Sequence, residues 1–154
     1  MIKINVILSN NDWGKYLNNP DLFINRKLKI INKNIKIYKN KVLIASLLLS
    51  DHKEIKKLNK IFRKKNKSTD VLSFPFYKRK DFNTELKKNK EIYLGDIILN
   101  LKKVKNKENA VSFKNEFNKL WIHGLAHLLG HDHKKEKDYK KMIRVEKEFL
   151  RYVN

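Results

Sequence analysis

Residues Trp121–His133 read WIHGLAHLLGHDH. From Ser112 the apolar residues recur at helical spacing as far as Leu129, and Gly130 stands where a helix commonly ends on a left-handed residue. The stretch therefore reads as the last turns of a helix followed by a reversal of the chain. Four of the five histidines fall inside it: His123, His127, His131 and His133.

The segments around this helix give the fold class. Ile2 to Leu8 alternates and is β-branched, which predicts a strand. Asp21 to Asn32 has apolar residues at helical spacing just after Pro20, and Lys41 to Ser50 is a buried strand by its run of aliphatics. Asp51, with Glu54 three residues on, predicts an N-cap and a helix to about Lys64. Thr69 to Phe76 and Glu91 to Leu99 read as strands, and Pro75 places the end of the first at a sheet edge. Asp138 to Val153 is a last helix, with Met142, Ile143, Val145 and Phe149 among its inward residues. The polar stretches Lys78 to Glu91 and Lys102 to Asn109 read as surface loops or exposed turns. The located elements run β-α-β-α-β-β-α-α. This predicts an α/β (α+β) fold: a single small mixed sheet of about four strands packed with about five helices. The 154 residues fit one domain, residues 1–154.

Composition narrows the function. The chain has 41% hydrophobic and 34% charged residues, enough apolar content for a core. Its longest apolar run, Val42 to Leu49, is far short of the roughly 20 residues that a membrane-spanning helix needs. The first residues carry one Lys and no small-residue cleavage site, so no cleaved leader is expected. There is no cysteine, which excludes disulfides and thiolate ligands and leaves His, Asp and Glu to bind any metal. The net charge of +21 fits a polyanionic partner, RNA or DNA. It equally fits codon drift in an A/T-rich genome, since 32 of the 37 basic residues are Lys beside 19 Asn and 16 Ile. The five Arg are more informative, because a guanidinium binds phosphate bidentately and Lys does not.

His123 and His127 lie four residues apart, on one helix face, with Cβ atoms about 5–6 Å apart. That separation lets two imidazoles reach one ion at about 2.0–2.1 Å. A third ligand eight residues along a continuing helix would be about 12 Å away. Gly130 removes this obstacle by turning the chain back. His133 then completes a His-x3-His-x5-His spacing, and His131, directly after the turn, is its competitor. Three histidines without a fourth protein ligand leave a coordination position open, as catalytic sites do. The metal site is thus expected on a helix and the turn after it. Zinc, nickel, copper and cobalt all suit three imidazoles.

The spacing also matches the zinc-protease pattern H-E-x-x-H-x-x-G-x-x-H, with one departure. Gly124 stands where those enzymes place the glutamate base, and glycine cannot move a proton. Glu116 is about 10.5 Å back along the helix axis, as a supporting residue or a solvated one. Asp132 more readily orients the turn or a ligand imidazole than binds the ion.

Three further segments carry a resemblance. LNKIFRKKNKSTDVLSFPF (Leu58 to Phe76), LGDIIL (Leu94 to Leu99) and NEFNKLWIHGLAHLLGHDH (Asn115 to His133) together resemble the YbeY-type endoribonucleases, the bacterial rRNA maturation factors. MIRVEKEFL (Met142 to Leu150) is also similar. One departure is His131, where the family usually has an aromatic such as Tyr. The resemblance implies a single α/β domain with one zinc-type ion (Zn2+, with Ni2+ or another divalent metal also suitable) on His123, His127 and His133. It implies a single-strand-type, metal-dependent endoribonuclease in the cytoplasm, acting in ribosomal RNA 3′-end maturation and ribosome quality control. Its partners would be a 16S-type rRNA precursor and the ribosome, with no membrane and no DNA specifically implied. It also points to Arg63 as catalytic. A guanidinium there suits the developing charge on a scissile phosphate; the plainer role is satisfying a helix C-terminus. Thr69, Asp70 and Ser73 either fix the sheet edge or line a substrate groove, and Asp96 is similarly open. Two alternatives stand beside the endoribonuclease: an atypical metallohydrolase on another substrate, and a ribosome-associated RNA-binding factor with a structural metal.

Overall fold

A computed structural model describes residues 1–36 and 38–154. In chain order its main elements are β1 (Ile2–Leu8), α1 (Pro20–Asn34), β2 (Val42–Ser50), α2 (His52–Arg63), β3 (Val71–Pro75), α3 (Arg79–Lys88), β4 (Glu91–Asn100), α4 (Ala110–Leu128) and α5 (Glu136–Val153). The four strands form one mixed sheet in the order β1-β2-β4-β3, so the fold class read from the sequence holds. β1, β2 and β4 run parallel, and β3 pairs antiparallel with β4 at the edge where Pro75 predicted it.

The strand period of two separates the sheet's faces. Leu43, Ala45, Leu47 and Leu49 of β2 are fully buried on one face, with Ile92, Leu94, Ile97 and Leu99 of β4 beside them. Against that face pack Ile24, Leu28 and Ile31 of α1, then Phe113, Phe117, Trp121 and Leu125 of α4, and Phe149 and Val153 of α5. On the opposite face α2 packs through Ile55 against Leu72 and Ile98.

One stretch differs from its sequence reading. Lys78 to Glu91 contains a ten-residue helix, α3, where a loop was expected. Its sequence signal is weak because a single apolar pair, Phe82 and Leu86, one turn apart, faces the core among charged residues. Nor does it have a side-chain N-cap.

Close backbone approach sets two glycines. Gly95 has φ +124°, beside a register shift between β2 and β4. A Cβ there would meet the Phe74 carbonyl oxygen at 2.1 Å. Gly124 lets α4 lie directly on β4, where a Cβ would come within 2.6 Å of Ile97 Cγ2.

Candidate metal centre and its cleft

Asn109 begins α4 by accepting a hydrogen bond from the Ser112 N–H, and Trp121, fully buried, anchors its middle by donating from Nε1 to Asn118 Oδ1 at 3.0 Å. One turn further, His123 and His127 project from the same side, with their Nε2 atoms 3.2 Å apart. α4 then stops in a Schellman turn. The His131 N–H donates to the Ala126 carbonyl and the Gly130 N–H to that of His127, both at 3.0 Å, with Gly130 at φ +85°. This reversal brings His133 to the other two, its ring centroid 5.7 Å from His123 and 5.0 Å from His127. One ligand atom from each of the three lies within 4.8 Å of the others. The ring of His131 is outside this cluster; its contribution is the backbone carbonyl.

Two of these imidazoles are oriented from behind. His123 Nδ1 donates to Glu146 Oε1 on α5 at 2.7 Å, and His127 Nδ1 donates to the His131 carbonyl at 3.1 Å. Each contact places the proton on Nδ1 and leaves the Nε2 lone pair for an ion, the usual arrangement behind ligating imidazoles. Burial first, and then the neighbouring His123, pull the His127 pKa down to about 4. Burial, followed by the charge of Arg79, also lowers His131. His127 is therefore neutral at physiological pH, as a ligand must be. The donor set fits a divalent cation: three imidazoles, two with fixed tautomers, and among the described residues no fourth protein ligand in the cluster.

Glu146 is the residue the sequence reading missed. Met142, Glu146, Phe149 and Val153 share one face of α5 at intervals of four, three and four, so a carboxylate on an otherwise apolar stripe was the available signal. Glu116 is partly buried and is engaged by Lys119 at 2.7 Å. Asp132 Oδ1 accepts the His133 N–H at 2.8 Å and so fixes the turn. Asp96 accepts from the Tyr93 hydroxyl at 2.6 Å on the sheet face away from the histidines.

The triad forms one wall of a cleft of about 260 Å³. The other wall comes from α2 and the start of β3: Arg63, Thr69, Asp70 and Ser73. Arg63 is the last residue of α2, yet its Nη2 donates to the Ser73 carbonyl at 2.8 Å instead of to the helix's own end. Its guanidinium also lies over the Phe74 ring, 5.6 Å from the centroid. Asp70 Oδ1 accepts from Thr69 Oγ1 at 3.0 Å and the Val71 N–H at 2.9 Å, bracing the start of the edge strand. Sheet-edge residues and cleft residues are thus the same residues.

These features define a class: a small α/β protein with a metal-type histidine triad on a helix and its terminal turn, facing an arginine-bearing wall. The family model described as Endoribonuclease YbeY matches residues 8–154, and the chain belongs to that family. It is 44% identical to the endoribonuclease YbeY of Pelagibacter ubique over 99% of this chain and 97% of the relative. It is 32% identical to that of Ehrlichia canis over 97% and 91%. A solution structure of a Thermotoga maritima protein is similar at a TM-score of 0.59 and 28% identity, covering 98% of this chain and 89% of that one. Among the described residues, no helix is long and apolar enough to cross a membrane.

Proposed function

We propose that residues 1–154 act as one domain, a metal-dependent endoribonuclease on single-stranded RNA. Its place would be the 3′-end maturation of ribosomal RNA and ribosome quality control, with the ribosome as partner and the cytoplasm as compartment. The observation that supports this best is the pairing of the histidine triad with Arg63 across one cleft, in a chain of an endoribonuclease family. His123, His127 and His133 would hold one zinc ion. A bound ion of this kind supplies Lewis acidity to a phosphoryl oxygen and makes water a better nucleophile.

The remaining work falls to the chain. Glu146 and the His131 carbonyl hold two imidazoles in their ligating tautomers. Arg63, held at one nitrogen by Ser73, keeps its other N–H groups for the phosphate, where they would neutralise charge gained in the transition state. The strand edge argues against a peptide substrate. Asp70 and Phe76 bond inward to β4, so Val71, Ser73 and Pro75 turn their backbone groups outward. Of these, the Ser73 carbonyl is taken by Arg63 and Pro75 has no N–H, which spoils the ladder an extended peptide would need.

The test is a chelator-reversible RNA cleavage assay with metal analysis. His127→Ala should lose both ion and cleavage. Arg63→Ala should keep the ion and lose about 10²–10³-fold in rate, the scale for one charge-stabilising donor. Cleavage by Arg63→Ala at the parent rate refutes the role given to Arg63, and cleavage by metal-free parent refutes metal dependence.

A further inference from the structure

The cleft at the triad opens into a larger groove of about 910 Å³ that runs over the edge strand. The two share Arg63, Ser73, His127 and His133. The groove has an uneven charge: Arg63, Lys65, Lys78, Arg79 and Lys134 line it, and Asp132 is the one carboxylate among its lining residues. That carboxylate is itself 3.4 Å from Lys134. Lysine is spread over the whole chain, but two of only five arginines are here; Arg79 is paired with Asp138 at 2.7 Å, so the cationic track rests on Arg63, Lys65 and Lys78.

Phe76, just past the end of β3 and 65% exposed, is among the residues lining this groove, with its ring turned round the edge strand toward Tyr93, on the sheet face away from the histidines. An exposed phenylalanine ring costs free energy in water unless something covers it. Phe76 is also held in place. Tyr77 and Tyr93 meet it nearly at right angles, with centroids 5.1 Å and 5.8 Å away, and its N–H donates to the Leu94 carbonyl at 2.8 Å. The ring is therefore pre-organised and would lose little freedom on covering.

We propose that Phe76 is a stacking platform for an unpaired base of the substrate strand, whose phosphates run along Lys65, Lys78 and Arg63 to the triad. The inference deepens the endoribonuclease reading and rests on it. A cationic track beside an exposed aromatic is the common solution for single-stranded nucleic acid, because every base offers a π-face and only an unpaired base can present it. Phe76 is thereby a specificity-determining residue: it selects single strands without selecting sequence.

The experiment uses the full chain, treated with chelator so that the strand stays intact, and a labelled, unstructured oligoribonucleotide read by fluorescence anisotropy. Phe76→Ala should weaken binding by roughly five- to 150-fold, the range for one base–aromatic stack. Phe76→Trp should restore it. The slope of log Kd against log salt should stay at the parent value in Phe76→Ala and fall by about one in Lys78→Ala, which loses a phosphate contact. A perfect RNA duplex should bind Phe76→Ala and the parent alike. If the parent binds and cleaves RNA while Phe76→Ala binds the single strand equally well, the stacking role is overturned. Equal loss on duplex and single strand overturns it too. If the parent neither binds nor cleaves RNA with zinc restored, the endoribonuclease reading itself has failed.

Discussion

Gly124→Ala tests why a protease-like histidine spacing carries glycine at the position of the protease base. The added methyl would lie 2.6 Å from Ile97 Cγ2, 3.1 Å from Cγ1 and 3.2 Å from Cδ1. Ile97 is fully buried and β-branched, so its branch point cannot swing away as a long side chain's tip would. Overpacking of this kind costs about 1–3 kcal/mol. Exchanging a mid-helix glycine for alanine returns about 1 kcal/mol. The expected net loss is therefore about 1 kcal/mol, a fall of roughly 0.3–1 M in the urea midpoint. Ile97→Ala alone should cost about 2–5 kcal/mol, because it leaves a cavity. Combined, the two should cost at least about 1 kcal/mol less than their sum, since each relieves the fault the other makes. Urea denaturation of the four metal-free proteins reads the whole cycle. A higher midpoint for Gly124→Ala, or simple additivity, would show that α4 does not rest on Ile97 as described. The same geometry predicts that Gly124→Glu makes no peptidase: the carboxylate would be driven into a dry contact with the sheet.

Three other outcomes follow from the same structure. Glu146→Gln should weaken metal binding about 10–100-fold by titration, as loss of a carboxylate behind a ligating imidazole does, while Glu116→Gln leaves it unchanged; equal affinities would remove Glu146 from the site. Gly95→Ala should lose roughly 3 kcal/mol or more, from a left-handed backbone and a methyl against the Phe74 carbonyl, and a melt within 1 kcal/mol of the parent (about that resolution) would contradict it. For the metal-free protein, His127 takes a proton at 6.5 when unfolded and at about 4 when folded, so the unfolded state binds more protons between those values. Stability should then fall as pH drops through that window, more steeply in the parent than in His127→Asn; parallel curves would refute the buried, neutral imidazole.

The site was legible where it was local. His123, His127, Gly130 and His133 belong to one helix and one turn, so spacing alone grouped them, with His131 still competing with His133 until the turn's geometry was seen. Arg63 was identified through resemblance and chemistry, but its grip on Ser73 depends on β3 lying beside the end of α2, which no spacing reveals. Glu146 comes from a helix 23 residues away along the chain and was hidden in an amphipathic pattern. α3 was hidden because so little of it is apolar. Gly124 was read for the group it lacks; its structural reason, the contact with Ile97, needs the sheet. The four-strand sheet followed from alternation and aliphatic runs, which burial on one or both faces imposes directly.

The Schellman turn also divides the triad by how each histidine would let go of a bound ion. His123 and His127 are half-buried on a helix packed against the sheet, so moving them means disturbing the core. His133 is exposed, on a segment outside any helix or strand, and its backbone N–H donates to the neighbouring Asp132. Segments of that kind open far more often than a whole fold does. An ion would then leave by the release of His133 alone, with two anchors still in place. Its exchange rate would be set by the five residues between Gly130 and α5, and would be fast even where global unfolding is slow.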